Sequence, residues 1–370
     1  MKSFITLLIN FVLQNQWITI NAEQVLGIAP CMYSGDFDPN GYFCPDTPMS
    51  IDKLPLQECT SLVYDGINMA ADLTVNFTQV DENNVSALES SDKPLYLYYG
   101  YATLQAWAQA VDAENVPIEL TKMREFLMDS KISGLVLKNL NYDYNDCNAD
   151  FHFDPNFFKK LIEYITELKK IKSNLSIGLY VSASNMIYYS DKPNSPDWFD
   201  FTVLNDVMDN YIIGFNNFNP CNEFFKGGTV PMDDVLNHTH SLTTFEKALS
   251  CSTIAKDKMY LEFSASPTLN TTSAEHLPTC CVTYKKYCEA DHYNIYFCAD
   301  NADAFYKKGK FAKDIGAKGI VIKYIDTIDP TAKCDCDNKN EFITFTMMLH
   351  GFKCLEPITH CTKLNSVIHS

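Results

Sequence analysis

Apolar residues recur along this chain in short runs separated by amphipathic stretches, the alternation that builds parallel α/β folds. Ile132–Leu137 is one such run, broken only by Ser133 and Gly134. Ahead of it Met123, Phe126 and Leu127 recur at helical spacing. Behind it Asp154-Pro155 opens a helix whose Phe157, Phe158, Leu161, Ile165 and Leu168 share one face, with lysines in the last turn. Comparable runs over 24–29, 61–67, 95–99, 175–181, 211–215, 259–263 and 319–325 complete eight predicted strands, and further helices are predicted over 120–129, 302–315 and 343–349. Eight strands alternating with helices, without an internal repeat, predict one (β/α)8 barrel spanning residues 23–370. A doubly wound open sheet is the alternative, but the Gly-rich phosphate loop that accompanies one is missing. In a barrel the chemistry sits beyond the strand ends, so residues 138–146 are expected at the mouth.

Composition supports a full core, with 46% hydrophobic residues. Residues 1–22 read as a secretory signal: Lys2, an apolar segment from Phe4 to Leu13, and a cut after Ala22. No later stretch is long and apolar enough to span a bilayer. The protein is expected to be secreted and monomeric. Fourteen cysteines without a paired zinc spacing predict up to seven disulfides. Asn76, Asn84, Asn237 and Asn270 stand in glycosylation sequons, and so does Asn174, which abuts a predicted strand. A net charge of −17 argues against nucleic acid, whose phosphates need Lys and Arg.

Few residue clusters carry chemistry of their own. His238 and His240 could ligate a metal, but a single pair beside a sequon reads as surface loop, and no metal or cofactor is expected. Tyr96 and Tyr98 are expected to pack inside the barrel or against its helices, whereas Tyr99 and Tyr101 flank Gly100 at a strand end and are candidates to stack on a ligand. Neither a Ser-His-Asp elbow nor a phosphate loop is present.

The order of landmarks resembles glycoside hydrolase family 18, the chitinases and chitinase-like proteins. Cys31 and Cys59-Thr60 match that family's first disulfide pair; Phe126-Leu127 through Ile132-Ser133-Gly134-Leu135 match the helix and strand carrying its catalytic motif. Residues 156–183 match the next helix and fifth strand, and 305–329 the approach to the eighth. The resemblance covers nearly the whole chain after residue 22, through order and spacing rather than identity. It implies a Cys31–Cys59 disulfide and a chitin-type ligand at the mouth.

The departures carry the functional expectation. The family's strand-four signature, D-G-x-D-x-D-x-E, laid on Ser133-Gly134, places its acids on Ser133, Val136, Lys138 and Leu140, none of them acidic. In active members the Glu protonates the glycosidic oxygen, and the neighbouring Asp orients the acetamido group that attacks the anomeric carbon. Leucine cannot donate a proton, and lysine would push positive charge toward the forming cation. The Tyr-Asp pair of strand six falls on Asn216-Asn217, the Trp that floors the cleft falls on Lys323, and the insertion after strand seven is short or absent. Sliding the pattern by three residues gives a fallback acid, Asp143, preceded by Asn139 and Asn141. The resemblance therefore implies a non-catalytic member that binds chitin-type oligosaccharide or an extracellular protein, with lectin-like or growth-factor-like action. A weak glycosidase using Asp143, or a structural glycoprotein without a pocket ligand, are the alternatives.

Overall fold

The computed structural model describes residues 26–34, 49–66, 68–70, 72–140, 154, 156–192, 195, 198–237, 239–269, 282–289, 296–329, 331–334, 336 and 341–366. Eight parallel strands close into a barrel: β1 Pro30–Tyr33, β2 Ser61–Tyr64, β3 Leu95–Tyr99, β4 Ile132–Leu137, β5 Ser176–Ser182, β6 Asn210–Gly214, β7 Met259–Ser264 and β8 Gly319–Lys323. β1 pairs with both β2 and β8, so the sheet has no edge. Seven predicted strands fall within a few residues of the observed ones. The first was expected over 24–29 and lies at Pro30–Tyr33 instead. Pro30 lacks an N–H, which a strand tolerates at its first residue.

The barrel lumen is filled by one inward residue or more from every strand: Met32, Val63, Tyr96 with Tyr98, Val136, Tyr180, Ile212, Tyr260 and Val321. Four tyrosines in so narrow a space need small neighbours. A Cβ on Gly134 would meet the Tyr96 ring, and one on Gly214 would meet Tyr180. Gly134, read from sequence as part of a catalytic signature, is thus also fixed by packing.

Helices α1 Gln79–Glu89, α2 Leu104–Ala110, α3 Val116–Leu127, α4 Phe157–Lys169, α5 Ala183–Tyr189, α6 Leu242–Ser250, α7 Ala302–Asp314 and α8 Ile343–Phe352 surround the strands. α1 opens on a capping box between Thr78 and Asp81. α4 buries Phe157, Leu161, Tyr164, Ile165 and Leu168 as its periodicity demands. Its first turn is braced by Asp154, whose carboxylate accepts from the Asn156 N–H at 2.8 Å and pairs with Lys160 at 2.8 Å.

Four disulfides are present among the described residues: Cys31–Cys59, Cys221–Cys298, Cys288–Cys334 and Cys336–Cys361. The first is the pair implied by the resemblance, although Cys31 lies inside β1 rather than after it. Cys251 and Cys354 are free and exposed, so seven bridges cannot form within this structure. Between β7 and β8 the described residues hold a two-stranded ribbon, Thr268–Leu269 with Phe297–Cys298, and the helix Tyr284–Glu289. No helix among the described residues is long and apolar enough to cross a membrane.

Candidate functional site

The strand C-termini meet at a mouth whose charged groups come from four strands. Asp65 follows β2, Lys138 follows β4, Glu262 lies on β7 and Lys323 ends β8. Lys138 Nζ sits 2.7 Å from Asp65 Oδ1. Lys323 Nζ sits 3.5 Å from Glu262 Oε1, and the Tyr98 hydroxyl donates to Glu262 Oε2. Glu262 is buried, while the other three side chains are 14–17% exposed. Burial alone would lower the Lys323 ammonium. The Glu262 carboxylate beside it, with Tyr324, Tyr180 and Asp65, more than offsets that and holds it above the ordinary lysine value. Tyr98 is raised well above its ordinary value by burial first and by Glu262 second, so its hydroxyl stays a donor. Two cations and two anions thus compensate one another over the tyrosine-filled lumen.

A cavity of about 550 Å³ opens beside this network. Its wall includes Phe215, Asn216 and Asn217 beyond β6, Glu262 and Ser264 of β7, and Lys323 and Tyr324 at β8. The Cys221–Cys298 disulfide also lines it, with Asp300 and Lys308 paired at 2.6 Å. Three candidates from the sequence, Asn216, Asn217 and Lys323, therefore share one cavity. Asn217 has φ +52°, a left-handed conformation that asparagine tolerates, in the turn that follows β6.

The remaining candidates lie elsewhere. Val136 packs in the lumen, Ser133 is buried, and Leu140 is 2% exposed within the helix-side core. Leu140 was expected on the floor of the mouth. Asn139 takes φ +60°, which breaks the strand's alternation after Lys138 and turns Leu140 away. The Asn139 amide donates to the Tyr101 carbonyl at 2.9 Å, so it braces the mouth from behind. Tyr99 and Tyr101 do not line the cavity: both face the helices, fully buried, packed edge-on against Trp107. Tyr96 and Tyr98 fill the lumen. Trp107 and Trp198 are core residues. Asn141, Asp143, Asn270, His238 and the leader over 1–22 lie outside the described residues.

Asp326 accepts from the Ser34 N–H and hydroxyl, and Asp329 from Thr331 and the Cys334 N–H, so both brace loops. His240 packs against the Phe218 ring, and burial lowers its pKa. Among the sequon residues Asn76, Asn174 and Asn237 are exposed, whereas the Asn84 amide donates to the Tyr64 hydroxyl at 3.2 Å.

Asp65 and Glu262 escaped the sequence reading. A carboxylate inside the apolar run 259–263 was the available signal for Glu262, since an acid at an inward strand position must find a partner there.

No protein-family model matches the chain, and no curated protein matches it. Solved structures do. A Glu-to-Leu mutant of catalytic domain 2 of the Ostrinia furnacalis Group II chitinase, in complex with penta-N-acetylchitooctaose, is 13% identical over 91% of this chain and 99% of that one, with a TM-score of 0.68. An immunomodulatory active chitinase from Trichuris suis is 15% identical over 87% and 98%, at TM-score 0.62. A Rhizomucor miehei chitinase is 15% identical over 86% and 98%, at 0.58. The chain has a chitinase-like (β/α)8 fold.

Proposed function

We propose that this protein is a secreted, non-catalytic member of the chitinase-like group that holds a neutral chitin-type oligosaccharide in the mouth cavity. The observation that carries the reading is the Lys138–Asp65 ion pair. At the inward position where the family's motif sets an aspartate, this chain sets an ammonium and matches it with a carboxylate from another strand. Glycoside cleavage through the substrate's own acetamido group needs a proton donor and a negative environment for the forming cation. Glu262 does not supply the donor, since Lys323 and Tyr98 hold it as an acceptor.

A neutral ligand fits because the floor charges are internally paired, which leaves the exposed amides of Asn216 and Asn217 and the hydroxyl of Ser264 facing the cavity. One of the similar structures holds penta-N-acetylchitooctaose, which supports the same ligand class here. The disulfides agree with an extracellular setting. Calorimetric titration of the secreted protein with N-acetylglucosamine oligomers tests the reading. Saturable binding that weakens at least tenfold in the N216A/N217A double variant is expected; binding unchanged in that variant would place the ligand elsewhere.

A further inference from the structure

Away from the cavity, the wall between β3 and α4 holds an acid that its surroundings do not neutralise. On α3 the buried stripe runs Glu119, Met123, Leu127, while the neighbouring Ile118 is 51% exposed. The helix therefore turns its acid inward and its isoleucine outward. Glu119 is fully buried. Tyr164 of α4 donates to its Oε1 at 2.7 Å, and Tyr99 of β3 donates to the same oxygen. The two hydroxyls are 3.1 Å apart. Glu119 Oε2 and the nearby Tyr101 hydroxyl have no hydrogen-bond partner among the described residues. No cation pairs with Glu119 there either: Lys160 of α4 is held by Asp112 and Asp154, and Lys122 of α3 by Glu125. Glu163 of α4 and Arg124 of α3 are exposed.

Trp107 and Asn139 both tie this cluster to the mouth, Asn139 through the Tyr101 carbonyl. Trp107 of α2 packs edge-on against Tyr99, Tyr101 and Tyr164, and its indole N–H donates to the Lys138 carbonyl at 2.8 Å. Lys138 is the residue whose ammonium meets Asp65.

We propose that Glu119 is a proton-operated latch: protonated, it holds the β3–α3–α4 wall tight around Trp107, and on giving its proton to solvent it loosens that wall and the grip of Trp107 on the end of β4. The physical cause is the cost of a carboxylate in an apolar wall with one oxygen unpaired. Burial raises the Glu119 carboxyl to about 7, against a smaller opposing effect of the Tyr164 hydrogen bond, so the latch works in the neutral range.

Fluorine NMR of the full protein labelled with 5-fluorotryptophan, titrated from pH 5 to 9, tests this, with W198F assigning the Trp107 resonance. That resonance should move through one transition centred near pH 7. In E119Q it should stay at its acid-limb position throughout. In Y164F the midpoint should rise, because a hydrogen bond that favours the carboxylate is gone. A static Trp107 resonance in the folded wild type overturns the proposal. The same transition persisting in E119Q overturns it too, because a group other than Glu119 then drives the change. If E119Q does not fold, Y164F decides alone, and an unmoved midpoint there is fatal to the latch.

Discussion

Lys138 Nζ and Asp65 Oδ1 meet at 2.7 Å across the barrel mouth, joining the end of β4 to the residue after β2. Both side chains are largely sequestered, so each charge depends on the other. Removing one partner should therefore cost more than removing both. K138M is expected to lower the unfolding free energy by about 3 kcal/mol, and K138M/D65N by markedly less. Urea unfolding of the four-member mutant cycle reads the coupling directly. A loss in the double variant equal to the sum of the two single losses would mean the pair contributes nothing.

Glu119 makes stability depend on pH with a definite sign. Its folded-state value of about 7 lies above the ordinary 4.5. The native state holds the proton longer than the unfolded chain does. The stabilisation is therefore complete below pH 4.5 and is lost as pH rises through 7. The full loss amounts to about 3 kcal/mol at 1.36 kcal/mol per pH unit. Denaturant midpoints from pH 4 to 8 should show this fall in the wild type and not in E119Q. Parallel curves for the two proteins would contradict it.

Cys221 and Cys298 tie the loop beyond β6 to the ribbon before α7, 77 residues apart, and form one wall of the cavity. Replacing both with serine frees the unfolded chain and should cost about 4 kcal/mol by loop-closure entropy. Oligomer affinity should fall with it, because the wall is no longer held. Thermal unfolding and titration of the same sample measure both, and full affinity after loss of the bridge would show that the wall is set by packing alone.

α7 and α8 approach closely enough that Gly309 lies against the Met348 carbonyl and Gly351 against the Tyr306 carbonyl. A Cβ at either site meets backbone that cannot move aside without separating the helices. G309A is expected to destabilise the protein by about 3 kcal/mol, measured as a shift in the urea midpoint. An unchanged midpoint would mean the helices part freely.

Most of the barrel was legible in the order of apolar runs, because each strand is buried on both faces and each helix on one. The first strand was displaced because the apolar run 24–29 precedes the residues that pair: Pro30–Tyr33 is fixed by two neighbours distant in sequence, β2 and β8. Asn216, Asn217 and Lys323 could be placed by register with a family pattern. Tyr99 and Tyr101 could not, since strand alternation sends Tyr99 to the helix side while Tyr96 and Tyr98 occupy the lumen. Leu140 was misplaced for a local reason, the left-handed turn at Asn139. The partnership of Glu262 with Lys323 and Tyr98 depends on contacts across the barrel that spacing along the chain does not encode.

The claim that this barrel binds without cutting is tested most directly by prolonged incubation of the secreted protein with N-acetylglucosamine hexamer, with products followed by mass spectrometry. The account predicts intact hexamer over days at a concentration that saturates the cavity. Shorter oligomers that vanish in D143N would contradict it and make Asp143 the catalytic acid.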